Sequence, residues 1–343
     1  MNSKEILKKL ISYNTVNDRE NKDIINYIEQ YLKEFGFKTE YKSNCLVMSN
    51  SDDCNVGFLG HTDTVSYSND WTLNPFELSE KDGKLYGLGT CDMKGSIAVI
   101  LSLISKIDFS KNKTGIKLFF TYDEEIGFSG INELVNRNTE FPKYMIIGEP
   151  TNNEVINASK GLLEFKITFK GISSHSSKPE EGVNAIENCV DFINKLKDYY
   201  NELKEETIDS KYATMNIGVI NGGRSMNIVP DNCEVQIDFR TISKDQNEKI
   251  IKKVNELVNN KATCKIINDI NPFITNNEKI NMSNYITEAS FIESENKYIL
   301  GVGPNNAHKK DEFITIESLN KLEEQYIQII KEKQAEKAAK KSK

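Results

Sequence analysis

The apolar positions fall into two regimes along the 343-residue chain. From residue 4 to 36 they recur at helical spacing, first at Ile6, Leu7, Leu10 and Ile11 and again at Ile24, Ile25, Tyr27, Ile28 and Leu32, which predicts a helical stretch. NVGFLG (55–60) is a short apolar run between polar segments and predicts a buried strand. GSIAVILSLISKI (95–107) predicts a buried helix entered after Asp92, while GIKLFFTY (115–122) and YMIIG (144–148) predict two more strands. Strands that are apolar on both faces and alternate with helices predict a mostly parallel sheet covered on both sides.

At about residue 162 the period changes. LLEFKITFK (162–170) puts Phe165, Ile167 and Phe169 on one face and polar residues on the other, as a half-buried antiparallel strand does. A helix over 183–200, strands over 213–221 and 233–242, a helix over 245–259 and a strand over 262–268 complete the order β-α-β-β-α-β, the ferredoxin-like arrangement. The chain then returns to the first pattern with a strand at YILGVG (298–303) and a helix near 316–334. The expected architecture is an α/β domain with a mixed, mostly parallel sheet, discontinuous over 1–164 and 271–343, with an α+β domain inserted over 165–270.

Composition narrows the function classes. The net charge is −7, and the last thirteen residues hold six Lys and two Glu, so the body before them is more acidic still. An acidic body lacks the basic face that nucleic-acid binding needs, and the Lys-rich tail reads as a solvated helix end. No apolar run approaches the length of a membrane span, and the charged, amphipathic N-terminus is unlike a signal peptide. Six scattered cysteines with no C-x-x-C pair suggest neither a zinc ribbon nor a disulfide framework, which fits a reducing cytoplasm. Only four residues are Arg (Arg19, Arg137, Arg224 and Arg240), which limits what could clamp a carboxylate with two parallel bonds. Only three are His: His61, His175 and His308.

Two of these histidines belong to a set. His61 directly follows the NVGFLG strand, Glu124 and Glu125 follow GIKLFFTY, Glu149 follows YMIIG, His308 lies after YILGVG, and Asp92 sits in the loop before the buried helix. Each alone has a plain explanation as a loop or strand-end residue, but together they converge on the C-terminal edge of a parallel sheet, where ligands bind in open α/β folds. Two imidazoles and three carboxylates can hold two divalent ions if one carboxylate is shared, leaving room for water. Asp63, two residues beyond His61 on the same face, would orient that ring through its second nitrogen. The Glu left over could act as general base on an attacking water.

GHTDT (60–64), GLGTCDMKG (87–95), TYDEEIG (121–127) and GEPT (148–151) resemble, in order, the metal motifs of the dinuclear-zinc aminoacylase and carboxypeptidase family of metallopeptidases, and the resemblance covers nearly the whole chain. It implies two zinc ions, with cobalt as a substitute. Asp92 would bridge them, His61 and Glu149 would hold one, Glu125 and His308 the other, and Glu124 would be the base. It implies a cis peptide between Asp92 and Met93. It makes the inserted domain a lid and dimerisation domain, from which His175 reaches the active site, often that of the other subunit, to stabilise an oxyanion. Asn227, in GGRSMNIVPDNCEVQIDFR, becomes an oxyanion or carboxylate contact, and Arg240 a carboxylate clamp. A homodimer acting on a small N-acyl amino acid is implied, with no nucleic-acid or membrane partner.

Within that family WTLNPFELSEKDGKLYGLGTCDMKG (71–95), TEASF (287–291) and AHKKDE (307–312) look most like the acetylornithine deacetylases of arginine biosynthesis. Succinyl-diaminopimelate desuccinylases usually carry an Arg pair and a Gly-Gly-Thr-Ser-type loop where this chain has NASKGLLEF and TEASF. Ser159-Lys160-Gly161 stands where the deacetylases usually have His-Lys-Gly, and the loop GVGPNN before His308 is short. The expected reaction is removal of acetate from N-acetylornithine. A desuccinylase, a dipeptidase or broader deacylase on the same site, and a catalytically silent metabolite-binding relative are the alternatives.

Overall fold

The computed structural model describes residues 1–16, 21–107, 115–275 and 279–341, with side chains to Glu336. They form two compact units, one of Met1–Asn157 with Phe291–Lys343 and one of Ala158–Ser290.

The first unit opens with α1 (Ser3–Ile11) and α2 (Lys22–Lys33), where one helical stretch over 4–36 was expected. The β-branched pair Thr15-Val16 breaks the repeat: Thr64 donates its main-chain N–H to the Thr15 carbonyl at 3.2 Å, and Val16 bridges to Thr64. Arg19, within the same expected stretch, lies outside the described residues. Then come β1 (Lys38–Lys42), β2 (Leu46–Ser49), β3 (Cys54–His61), β4 (Ser79–Lys81), β5 (Lys84–Tyr86), α3 (Gly95–Lys106), β6 (Gly115–Thr121), α4 (Ser129–Asn136) and β7 (Tyr144–Ile147). Helix α3 is buried from Gly95 to Ile104, which is why its sequence is apolar all round rather than striped.

The second unit begins with the two-residue strand β8 (Ala158–Ser159), followed by β9 (Leu162–Lys170), α5 (Ala185–Leu203), β10 (Thr214–Gly222), β11 (Asn232–Arg240), α6 (Lys244–Val258) and β12 (Ala262–Ile270), then the short β13 (Phe273–Ile274) and β14 (Met282–Ser283). Its antiparallel sheet runs β10-β11-β9-β12, with Phe165, Ile167 and Phe169 buried against α5 and α6. This is the ferredoxin-like order read from the sequence. The unit is wider than 165–270 because β8 pairs with both β13 and β14, drawing residues 158–164 and 271–290 into it. Two-residue strands leave no period to read.

The chain re-enters the first unit with β15 (Asn296–Ile299), β16 (Phe313–Thr315) and α7 (Ile316–Lys341). The main sheet is β1-β2-β6-β3-β7-β15, in which β6, β3, β7 and β15 are parallel, β2 runs against them, and the edge strand β1, antiparallel to β2, runs with them again. Registers of His61 with Thr121 and of Leu59 with Ile147 align the ends of β3, β6 and β7, so the residues after them leave from one edge. The small sheet β16-β5-β4, missed in the sequence because its strands are three residues long, fastens the chain around residue 313 beside residue 86.

Close backbone approach shapes that edge. A Cβ on Gly301 would lie 2.2 Å from the Glu149 carbonyl oxygen and 2.4 Å from that of Gly148, so only glycine lets the segment after β15 abut Glu149. Gly301→Ala is expected to cost toward the upper end of about 1–3 kcal/mol, since main chain cannot step aside. Urea unfolding measures this, and an unchanged midpoint would show that the contact is not fixed.

Candidate active site

His61 is the last residue of β3 and fully buried. Its Nδ1 lies 3.1 Å from the main-chain oxygen of Asp63, which can only accept, so Nδ1 carries the proton in the neutral ring and Nε2 presents its lone pair outward. Nε2 faces Asp92 Oδ1 at 3.1 Å and Glu149 Oε1 at 3.7 Å. On the other side His308 Nε2 lies 3.0 Å from Glu125 Oε2 and 3.4 Å from Asp92 Oδ2. Asp92 therefore touches both imidazoles, one with each oxygen.

Ligand atoms of His61, Asp92 and Glu125 lie within 4.8 Å of one another, as do those of His61, Glu124 and Glu149. Glu124 thus stands as close to the cluster as the other carboxylates. The structure brings His61, Asp92, Glu124, Glu125, Glu149 and His308 together. The peptide between Asp92 and Met93 is cis.

Asp63 differs in detail from expectation. The carbonyl rather than the carboxylate makes the closer contact with the His61 ring, the carboxylate Oδ1 being 3.5 Å away. Oδ2 accepts the main-chain N–H of Glu125 at 3.2 Å. The residue therefore ties the His61 segment to the Glu124–Glu125 loop, because two residues after a strand end the main chain has turned back toward the ring.

The electrostatics are those of an anionic cage. Burial raises the Glu149 pKa well above the ordinary carboxylate range, and the charges of Asp92 and Glu124 add to it. Burial likewise raises that of Glu125. Burial also opposes ionisation of Asp92, but its contacts with His308 and His61 hold its pKa below the usual value. For His61 burial pulls downward and the contacts with Asp63 and Asp92 outweigh it, so the pKa is well raised. The same carboxylate contacts, to Asp92 and Glu125, lift His308 to about 10.

Such a donor set fits divalent cations. Among the described residues Asp92, Glu125 and Glu149 form ion pairs only with the two histidines. The buried Glu149 Oε1, which points at His61 Nε2, has no hydrogen-bond partner. Nitrogen and oxygen donors at these positions suit zinc and its neighbours, and binding would displace protons from the imidazoles.

Two buried residues behind the cluster were not singled out in the sequence. Lys94 is fully buried, donates from Nζ to the Tyr13 carbonyl at 2.9 Å, and is lowered by burial to about 7. Glu312 accepts main-chain N–H groups of Gly89, Cys91 and Asp92, and burial raises it to about 7. Glu312 closes the charged run Lys309-Lys310-Asp311, which in sequence looks like solvated surface, and Lys94 stands at the entry of the apolar helix, where a charge is ordinarily left in water.

The other three sequence candidates lie in the second unit. His175 is exposed, and its Nδ1 accepts the main-chain N–H of Ser177 at 3.1 Å, so Nε2 carries the proton of the neutral ring. Asn227 is beside it: Ser176 donates its main-chain N–H to the Asn227 carbonyl at 3.0 Å, and His175 bridges to Ile228. Arg240 is not with them. It ends β11, whose start is reached from Asn227, and nine residues of strand separate those ends by roughly 26 Å at about 3.3 Å per step. Its guanidinium already makes a two-point pair with Asp238, Nε to Oδ1 and Nη2 to Oδ2, both at 3.1 Å. The side-chain spacing of two residues on one strand face creates that pair, so Arg240 does not offer the free fork expected of it. The buried Lys160, its pKa lowered by burial and then by the charges of Lys211 and Arg240, lies at the same end of the unit.

Comparison with known proteins adds four findings. Residues 157–263 match the family model of a peptidase dimerisation domain. Acetylornithine deacetylase of Shigella sonnei (strain Ss046) is 33% identical over 354 residues, covering 91% of each chain. Among solved structures, aminopeptidase PepT from Bacillus cereus superposes with a TM-score of 0.81 at 21% identity over 97% of this chain and 98% of that one. A dinuclear metal-binding peptidase of the M20 family from Bacillus subtilis superposes with a TM-score of 0.70 at 14% identity over 96% of each chain. Among the described residues no helix is long and apolar enough to cross a membrane.

Proposed function

The chain belongs to the M20 family of metallopeptidases and deacetylases, and from that premise we propose that it removes the acetyl group from an N-acylated amino acid, with N-acetyl-L-ornithine as the substrate and L-ornithine and acetate as products. That it is a metal-dependent hydrolase of an amide bond follows from family membership and the ligand cluster. The observation carrying the finer reading is the 33% identity to an acetylornithine deacetylase across 91% of the chain.

In this reading His61 and Glu149 would hold one zinc ion and Glu125 and His308 the other, and Asp92 would serve both, as its two-sided contact with the imidazoles suits. Bound there, the ions would supply Lewis-acid polarisation of the amide carbonyl and make water more acidic. Glu124 takes the proton from the attacking water and returns it to the leaving amine nitrogen. Asp63 holds the His61 ring so that Nε2 faces the cluster. The Nε2–H of His175 donates to the oxygen that gains charge as the carbonyl becomes tetrahedral, and Asn227 assists from the same end of its unit. Arg240, with Lys160 near it, neutralises the substrate carboxylate through the N–H groups that Asp238 leaves over. The dimerisation-domain match supports a homodimer. Six scattered cysteines with no C-x-x-C pair support a reducing compartment, the cytoplasm.

A substrate panel tests the assignment. With zinc or cobalt added, N-acetylornithine should be cleaved with a kcat/KM at least about 10²-fold above N-succinyl-diaminopimelate and simple dipeptides, the size of discrimination that a site built for one polar substrate gives. Preference for a dipeptide or the succinyl compound would reassign the substrate and leave the site chemistry standing. No cleavage of any of them by zinc-loaded protein would support the silent, metabolite-binding alternative.

A further inference from the structure

The loop that carries His308 runs on four residues to Glu312, which is 1% exposed. The main-chain carbonyl of Glu312 accepts the N–H of Gly87 at 3.0 Å. Its carboxylate takes three more main-chain N–H groups from the same neighbouring loop: Oε2 accepts from Gly89 at 3.0 Å, and Oε1 from Cys91 at 2.6 Å and Asp92 at 3.1 Å. Next to it Asp311 reaches a different segment, accepting the Thr72 N–H at 2.8 Å and its hydroxyl at 2.6 Å.

The loop of His308 is held in a conformation it would not keep unaided: His308 has φ +62° and Asp311 φ +50°, left-handed for residues other than glycine. Such residues persist where surrounding contacts over-determine them. A neutral side chain could tie two loops together at less desolvation cost than a buried carboxylate, which needs several donors to offset it. Glu312 has three, all on the segment that ends in Asp92.

We propose that Glu312 is a positioning residue for the two-metal site, fixing the main chain of Asp92 against the loop of His308 so that the shared carboxylate and the second imidazole meet. This rests on the reading of Asp92 and His308 as ligands. Glu312 touches no ligand side chain in the contacts described and acts only through the backbone it grips.

Zinc titration calorimetry on protein stripped of metal, paired with thermal unfolding of the metal-free forms, tests the role. Glu312→Gln keeps the size of the side chain but turns an NH2 toward one of three N–H donors. It is expected to lose about 10–100-fold in zinc affinity, the usual effect of disturbing a ligand's support, while the metal-free Tm moves little. Glu312→Asp, which keeps the charge, should recover part of the affinity. A purely structural clasp would instead lower the metal-free Tm and leave the affinity of the folded protein unchanged, and that result, or wild-type zinc affinity in Glu312→Gln, overturns the proposal. Wild-type protein that takes up no zinc overturns the two-metal reading together with it, whereas normal uptake by both forms removes the role of Glu312 alone.

Discussion

Glu124→Gln is expected to lower kcat by about 10³–10⁴-fold, the upper part of the range for a general acid–base, because in the proposed mechanism this one carboxylate both takes the proton from water and delivers it to the amine. Zinc content and KM should stay near their wild-type values. The combination matters because geometry alone does not separate the roles of the adjacent glutamates. Glu124 lies within ligand distance of His61 and Glu149, while Glu125 contacts His308 and has a main-chain N–H fixed by Asp63. A ligand replaced by an amide loses metal along with activity, whereas a base replaced by an amide loses activity alone. Metal analysis beside steady-state kinetics decides this. If Glu124→Gln loses about one zinc per chain and Glu125→Gln keeps both, the two residues exchange roles. Full activity in Glu124→Gln would remove the acid–base assignment altogether.

The parts of the fold with a long period were legible in the sequence. The alternation of Phe165, Ile167 and Phe169 against polar and charged neighbours required a half-buried strand, and the predominantly apolar Gly95–Ile104 required a helix covered on every side. Chemistry was legible where a scarce histidine and several carboxylates fell at strand ends: His61, Glu149 and the pair Glu124–Glu125 leave one sheet edge because β3, β6 and β7 are parallel and in register. Local breaks were less legible. The interruption at Thr15-Val16 is decided by their pairing with Thr64, a contact 49 residues away that no local period encodes. Support residues were least legible. Glu312 and Lys94 are charges that sequence statistics place in water, and their burial follows from hydrogen bonds to main-chain groups, which leave no trace in side-chain spacing. Arg240 shows the converse: its type suggested a free clamp, and its neighbour two residues back on the same face had already taken the fork.

His175→Ala is expected to lower kcat by about 10²–10³-fold, the loss typical of removing one donor to a developing oxyanion, with zinc content unchanged. The structure supports a donor role on two grounds: the ring is exposed, and the Ser177 N–H fixes Nδ1 as an acceptor, which leaves Nε2–H as the outward donor of a neutral imidazole. A further consequence follows from the shape of the second unit. Arg240 stands at the far end of β11 from His175 and Asn227, roughly 26 Å away at about 3.3 Å per strand step, too far for one small amino-acid derivative to touch both in one copy. If all three residues serve one substrate, His175 and Arg240 come from different subunits of a dimer. A heterodimer purified through two different tags, one chain carrying Glu124→Gln and the other His175→Ala, separates the cases. Donation across the dimer joins the intact His175 of the first chain to the intact Glu124 of the second, and one of two sites should work, giving about half the wild-type activity. Donation within a chain leaves each site lacking one group, and the heterodimer should be as inactive as its parents. Loss of zinc in His175→Ala would remove the oxyanion role, because a residue that only donates a hydrogen bond to substrate has no reason to hold metal.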